Sequence, residues 1–261
     1  MKKLLMLIFM LSMGSLCWAQ TAPSLGSAAT FAVLGSSNVT CTAPGIISGD
    51  VGVSPGLFTN TTGCIVVGTV HQGDSAAINA LMALNTAYQF ALSHNSICTS
   101  NLADAPLLPL KLTPGVYCNN SAAGLTFTGG TLTLDASGNP NAVWIFKIAH
   151  GLTGSAFKVV MINGGQPCNV FWLVGADSTS TNSTLQGNIL AGGLTGSFTS
   201  TDSTLIGRVL ANGAVTLTRP NVHGSCAIAA QGAAGCDADD NDEHHHDKHR
   251  DDEEKDRKER D

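Results

Sequence analysis

Asn169-Val-Phe-Trp-Leu-Val-Gly175, Asn188-Ile-Leu-Ala-Gly-Gly193 and Arg208-Val-Leu-Ala-Asn-Gly213 open three consecutive lines of sequence that repeat one pattern. The lines begin at residues 169, 188 and 208, and each holds three short β-type runs separated by Gly, Asn or Asp. A repeat of about 20 residues with three strands per unit is typical of a β-solenoid. The pattern predicts a triangular coil whose stacked turns lie about 4.8 Å apart.

The same pattern occurs earlier in the chain. Residues 31–50 and 51–68 each divide into three such runs, and so do residues 115–135 and 142–163. Together with the three opening lines they predict one all-β domain over residues 20–236, built as a solenoid.

The periodicity changes between residues 74 and 95. Apolar residues recur there at 77, 81, 84, 88 and 91–92, which is one face of an α-helix. Asp74 or Ser75 can cap its start. The first run of most coil turns is continuously apolar, as in a strand that is covered on both faces. We therefore expect one long helix, at about residues 74–95, to lie over these runs.

The two ends of the chain differ from this domain. Residues 1–19 join a basic start to an apolar run and a small-x-small site, which predicts a signal peptide cut after Ala19 and a secreted, extracellular protein. Residues 237–261 hold 13 of the 19 acidic and 6 of the 13 basic residues and predict a disordered, His-rich tail. The tail can serve solubility or, through residues 244–246 and His249, bind a transition metal; we assign no metal site.

Few charges remain in the domain between these ends. It has no basic stripe for a nucleic acid, and no segment after the signal is long and apolar enough to cross a membrane. We expect a monomer with no cofactor and no catalytic residue. Its six Asp are scattered, and only Asp177 and Asp202 fall at comparable positions of neighbouring turns, where Asp is common for local hydrogen bonds.

Seven cysteines remain after signal removal, and an odd number in an exported chain leaves one unpaired or paired elsewhere. The coil register favours a Cys41–Cys64 disulfide, and Cys98–Cys118 would close a loop. Cys226 and Cys236 are expected to pair near the chain's exit. Cys168 is then expected to be a buried free thiol.

The second run of each turn carries the candidate binding residues. Apolar side chains such as Val39, Phe198 and Val215 alternate there with hydroxyl-bearing ones, so the hydroxyls are expected to point outward. Residues 176–182 break the alternation and leave their register open by one residue. Threonine suits exposed strands in general, but an ordinary exposed sheet would also carry Lys and Glu. The candidates are Thr40, Thr42, Thr59, Thr126, Thr128, Ser178, Ser197, Thr199, Thr201, Thr216 and Thr218.

Several motifs, spread over residues 25–224, resemble the DUF3494-type ice-binding protein family. They are Phe31-Ala-Val-Leu-Gly35, Gly49-Asp-Val-Gly-Val-Ser-Pro-Gly56, Leu112-Thr-Pro-Gly-Val-Tyr117, Asn141-Ala-Val-Trp-Ile-Phe146, Ile162-Asn-Gly-Gly-Gln-Pro-Cys-Asn-Val-Phe-Trp172, Gly187-Asn-Ile-Leu-Ala191 and Gly207-Arg-Val-Leu-Ala-Asn-Gly-Ala-Val-Thr-Leu217. The resemblance implies a discontinuous right-handed parallel β-helix with a long helix alongside. It also implies an antifreeze protein that adsorbs to an ice crystal surface through one flat face. The family's ice face has no invariant motif, so the outward hydroxyls carry over as candidate positions.

An extracellular adhesin or carbohydrate-binding β-helix is the alternative function. Solenoids often serve as recognition surfaces, but sugar binding calls for exposed aromatic rings. Both tryptophans left after signal removal, Trp144 and Trp172, lie in the covered runs.

Overall fold

The computed structural model describes residues 20–193 and 195–224. The predicted signal peptide, the charged tail and the Cys226–Cys236 pair lie outside the described residues. Short 3₁₀ turns at Gly26–Thr30 and Pro167–Asn169 accompany one α-helix and 22 strands.

The strands follow the predicted coil. The first two turns are β1 (Phe31–Gly35), β2 (Asn38–Cys41) and β3 (Gly45–Ser48), then β4 (Asp50–Val53), β5 (Leu57–Asn60) and β6 (Cys64–Val67). A connecting region follows with β7 (Val70–Gln72), helix α1 (Ser75–His94), β8 (Ser100–Asn101) and β9 (Leu110–Leu112). The third and fourth turns are β10 (Gly115–Asn119), β11 (Leu125–Thr128) and β12 (Thr131–Asp135), then β13 (Trp144–Ile148), β14 (Leu152–Ser155) and β15 (Lys158–Ile162). The remaining turns share long strands: β16 (Val170–Val174), β17 (Ser178–Thr181), β18 (Thr184–Ala191), β19 (Phe198–Thr201), β20 (Thr204–Ala211), β21 (Val215–Thr218) and β22 (Asn221–His223).

The coil has three sides. The second strands of the seven turns form a separate seven-stranded sheet in the order β11-β14-β17-β19-β21-β2-β5. The first and third sides belong to one 15-stranded sheet, because the eight-residue strands β18 and β20 each continue round a corner from the third side to the first. The strand pairs of both sheets are parallel, which confirms the predicted all-β solenoid.

The turns do not stack in chain order. The last turn pairs with the first on all three sides, through Val209 with Val33, Val215 with Val39 and Val222 with Ile47. The second turn therefore lies at one end of the stack and the third turn at the other. Helix α1 carries the chain between these ends along the outside, so the β-helix is discontinuous, as expected from the resemblance.

Helix α1 begins and packs as its sequence predicts. The side chain of Asp74 accepts a hydrogen bond from the backbone N–H of Ala77 at 2.9 Å and caps the first turn. The buried face joins the apolar side chains of the first-side strands in one cluster, which confirms the predicted cover. The cluster includes Ala80, Leu84, Ala87, Tyr88 and Ala91 of the helix, with Leu34, Ile145, Phe171, Leu190 and Leu210 of the strands. Leu81 is half-buried beside this face.

The disulfides agree in part with expectation. Cys41–Cys64 and Cys98–Cys118 are both formed, as predicted. Cys168 is disulfide-bonded as well, so the expectation of a free thiol is wrong. The position of Cys168 in the repeat does not show which cysteine lies near it, because tertiary structure brings the two together.

Two glycines make the corner between the third and first sides possible. Gly187 and Gly207 lie opposite each other in β18 and β20 and have φ of 115° and 143°. A Cβ atom on Gly207 would lie 1.9 Å from the carbonyl oxygen of Gly187. Glycine is therefore required there both by backbone conformation and by space.

Replacing Gly207 by Ala is expected to lower the free energy of unfolding by about 2–4 kcal/mol, because the strand must shift away from its neighbour. Gly164→Ala is the matched control: φ is 86° there, but nothing lies within 4 Å of the place that the added methyl group would take. It should cost about 1 kcal/mol, from backbone strain alone. Equal losses for the two variants in chemical denaturation would contradict the steric argument.

Candidate functional site

The seven-stranded sheet exposes two columns of hydroxyl-bearing side chains, which we call the threonine face. Strand registers place the members of each column side by side along the stack. Thr42 and Thr61 continue the second column just beyond the ends of β2 and β5. The first column is Thr126, Thr153, Thr179, Thr199, Thr216, Thr40 and Thr59, and the second is Thr128, Ser155, Thr181, Thr201, Thr218, Thr42 and Thr61.

Buried side chains on the opposite face of the sheet fix this orientation. Val39, Phe198, Val215 and Leu217 point into the solenoid, with at most 2% of their surface exposed. Strict alternation then turns their neighbours outward. Nine of the predicted candidates lie on the threonine face: Thr40, Thr42, Thr59, Thr126, Thr128, Thr199, Thr201, Thr216 and Thr218.

The other two candidates lie elsewhere. Ser178 is 1% exposed and points into the solenoid, so its predicted outward position is wrong. Strand β17 reads Ser-Thr-Ser-Thr and has no apolar residue to mark its inner side. Ser197 precedes β19 and is half-buried; its hydroxyl donates to the Thr195 carbonyl oxygen and accepts from the Ala214 N–H, both at 3.2 Å. This hydroxyl serves the turn and lies outside the two columns.

The sequence-based candidates missed five members of the face, namely Thr61, Thr153, Ser155, Thr179 and Thr181. A signal for one of the three turns concerned lies in the corner that follows the second column. Ala156, Asn182, Asp202 and Arg219 each come directly after a column residue and have φ near 50°. Asn and Asp favour this left-handed conformation, so Asn182 and Asp202 mark equivalent corners. Aligning the turns on them identifies Thr179 and Thr181 with Thr199 and Thr201.

The threonine face is a regular surface. Adjacent strands lie about 4.8 Å apart, and alternate residues of one strand lie about 7 Å apart. Seven strands therefore give an array about 29 Å long with two columns about 7 Å apart. The hydroxyl oxygens of Thr42 and Thr218 lie 2.7 Å apart and are hydrogen-bonded. Both columns are held by the backbone of a continuous sheet, so the array is rigid.

The columns contain no charged side chain. An Arg219–Asp202 ion pair lies at the corner, next to Thr218 and Thr201. Hydrogen bonding from the guanidinium lowers the pKa of the Asp202 carboxyl, and the same bond raises the pKa of Arg219. On the opposite border, the Asp177 carboxylate accepts a hydrogen bond from the Ser197 N–H at 3.0 Å. Each carboxylate is thus engaged by a group of the following turn.

Nothing in residues 20–193 and 195–224 resembles a metal centre, since no three His, Cys, Asp or Glu side chains come together there. Within the same residues, no helix has both the length and the apolar character needed to cross a membrane.

The fold and the face define a parallel β-solenoid that presents one periodic surface, whose two columns carry no charged side chain. The model of the Ice-binding-like family matches residues 33–223, and the chain belongs to this family.

Individual relatives agree with this family assignment. An ice-binding protein of Nostoc sp. (strain HG1) is 40% identical over 177 residues, which cover 66% of this chain and 63% of that protein. Ice-binding protein 1 of Shewanella frigidimarina is 33% identical over 202 residues, 65% of this chain and 22% of that protein. The chain thus spans less than two thirds of the length of these relatives.

Solved structures show the same architecture. The DUF3494 domain of the Shewanella protein superposes with a TM-score of 0.66 at 27% identity, over 78% of this chain and 97% of that domain. A glycosylated ice-binding protein from an Arctic yeast gives a TM-score of 0.67 at 26% identity, over 77% of this chain and 93% of the other.

Proposed function

We propose that this protein adsorbs to ice through the threonine face and thereby inhibits ice growth and recrystallisation. The observation that carries the proposal is the array itself: two aligned columns, seven strands long, with a hydroxyl at each position and no charge. The naming of its relatives as ice-binding proteins supports the same function.

The chemistry of the array suits a neutral, periodic partner. Ice presents a lattice of water donors and acceptors without net charge. A Thr hydroxyl can both donate and accept a hydrogen bond and so hold a water molecule, while its methyl group confines that water from the side. Each contact is weak, so adsorption needs many contacts made at once by a surface that is already ordered. The rigid sheet supplies both conditions.

The remaining features of the proposal follow from this mechanism. Adsorbed molecules stop the ice front between them, which requires no catalysis, cofactor, nucleic acid or membrane. The protein would act as a secreted monomer, with residues 20–236 as the ice-binding domain and the threonine face as its site. Charge at the corner, carried by Asp202 and Arg219, stays in water at the rim of the contact.

Ice-crystal habit tests the function directly. The purified secreted protein, at micromolar concentration, should facet a single ice crystal held just below its melting point and should separate into growing ice. The same protein after heat denaturation is the control, because unfolding destroys the array. Round crystals and exclusion from ice with the folded protein would contradict the proposal.

Ice activity is expected to be independent of pH from about pH 5 to about pH 9, because the columns do not titrate. Asp202 has a lowered pKa in the fold. Its contribution to stability is therefore complete above the unfolded pKa of about 4 and is lost as the pH falls through the folded value. Freezing-point depression measured from about pH 5 to about pH 9 should therefore stay constant. A change of several-fold between pH 5 and pH 9 would place a titrating group in the contact.

A further inference from the structure

The first described residues are fastened to the end of helix α1. Asn95, which is 5% exposed, accepts a hydrogen bond from the Thr21 N–H at 3.2 Å and donates one to the Thr21 carbonyl oxygen at 3.1 Å. Pro23 and Leu25 follow as buried residues. The chain is therefore held in place from Thr21 onward.

A cavity of about 460 Å³ lies where this segment begins. Most of its exposed wall is apolar, and Gln20 lines it together with the apolar Ile97, Pro114 and Val116 and with the polar His94, Asn95, Ser96 and Thr99. Gln20 itself is half-buried. A charged group placed in such surroundings loses part of its hydration, which disfavours its charged form.

The nearby helix end already holds one cation. The ammonium of Lys147 donates hydrogen bonds to the carbonyl oxygens of Asn95 at 3.0 Å and Leu92 at 3.3 Å. It thereby occupies the carbonyls that attract positive charge at a helix C-terminus. An α-ammonium on Gln20 would sit one residue from Thr21, which is bound to the side chain of the same Asn95. It would be a second cation near a helix end whose last carbonyls Lys147 already engages. A neutral chain end suits this place better.

The predicted cut after Ala19 makes Gln20 the first residue of the exported protein. We propose that Gln20 closes to a pyroglutamyl lactam that lies in this cavity. The α-amino nitrogen attacks the side-chain amide carbon Cδ, the bond from Cδ to the amide nitrogen breaks, and that nitrogen leaves as ammonia with a proton from the α-amine. No other reactant is needed. An α-amino group has a pKa near 8, so part of it is the neutral nucleophile at neutral pH.

The lactam removes the terminal positive charge and leaves no free α-amine for an aminopeptidase. The proposal depends on export and cleavage, which belong to the proposed function, and it is independent of the threonine face. Its failure therefore leaves ice adsorption untouched, and a protein that fails to shape ice can still carry the lactam.

The test uses the full chain secreted from an exporting host. Mass spectrometry should find an N-terminal peptide that begins at residue 20 and is lighter than the unmodified peptide by one ammonia. An amine-reactive label should not attach to it. Pyroglutamyl peptidase should release the lactam from the unfolded protein and act far more slowly on the folded one, because the cavity shields it.

Gln20→Ser is the matched control, since it should be cut at the same bond and keep an α-amine that takes the label, with unchanged ice activity. A reactive, uncyclised Gln20, or a different first residue, would overturn the modification. Equal release of the lactam from the folded and the unfolded protein would overturn its seating in the cavity.

Discussion

Tyrosine in place of Thr199 or Thr216 is expected to remove most of the freezing-point depression and to leave the fold intact. Both side chains lie near the middle of the first column and are adjacent through the register of β19 and β21. A phenol ring there protrudes well beyond the neighbouring methyl and hydroxyl groups. It therefore prevents the rest of the array from contacting the ice surface. The side chain points to solvent, and tyrosine is a good strand former, so the sheet should tolerate it.

The measurements are thermal hysteresis, circular dichroism and the melting temperature of each variant. Thr133→Tyr is the control, because Thr133 lies in β12 on the third side of the coil and pairs with Val160 of β15. It should keep both activity and stability. Full activity in the Thr199 and Thr216 variants together with loss in the control would move the contact to the third side. If the unmodified protein fails to shape ice at all, glycan binding becomes the next assay, as expected of an adhesin.

Leu84→Asp is expected to cost about 3–5 kcal/mol in the free energy of unfolding. Leu84 is completely buried between helix α1 and the first side of the coil. The substitution removes apolar contacts and places a carboxylate where the apolar cluster offers no partner. The helix also connects the two ends of the discontinuous stack, so a helix that packs less firmly should lower the stability of both ends.

Met82→Asp is the matched control, because Met82 is on the same helix and 57% exposed. It should change the free energy of unfolding by less than about 1 kcal/mol. Leu81→Asp should fall between the two, since Leu81 is half-buried. Urea denaturation that gives the same midpoint for Leu84→Asp and Met82→Asp would show that the helix does not cover the first side.

Much of the fold could be predicted from local sequence. Residues 169–224 repeat strand, corner and glycine at an interval that matches one coil turn, because each turn buries the same kind of side chain at the same place. The helix was equally clear, since its apolar spacing and the cap at Asp74 are local features. Phe198 and Val215 fixed the alternation in their own strands and so placed Thr199 and Thr216 correctly.

Tertiary structure was needed where the sequence does not distinguish inward-pointing from outward-pointing side chains. Strand β17 alternates Ser with Thr, and both are small and polar, so its inner side is set by the neighbouring turns through the pairing of Thr179 with Thr199. Stacking of the last turn on the first also left no local trace, because residues 39 and 215 meet only when the whole coil has closed. The sequence by itself therefore determined the solenoid, its helix and its hydroxyl-rich side. The order of the turns, the pairing of Cys168 and the alignment of the hydroxyls into two columns depended on contacts between residues far apart in the chain.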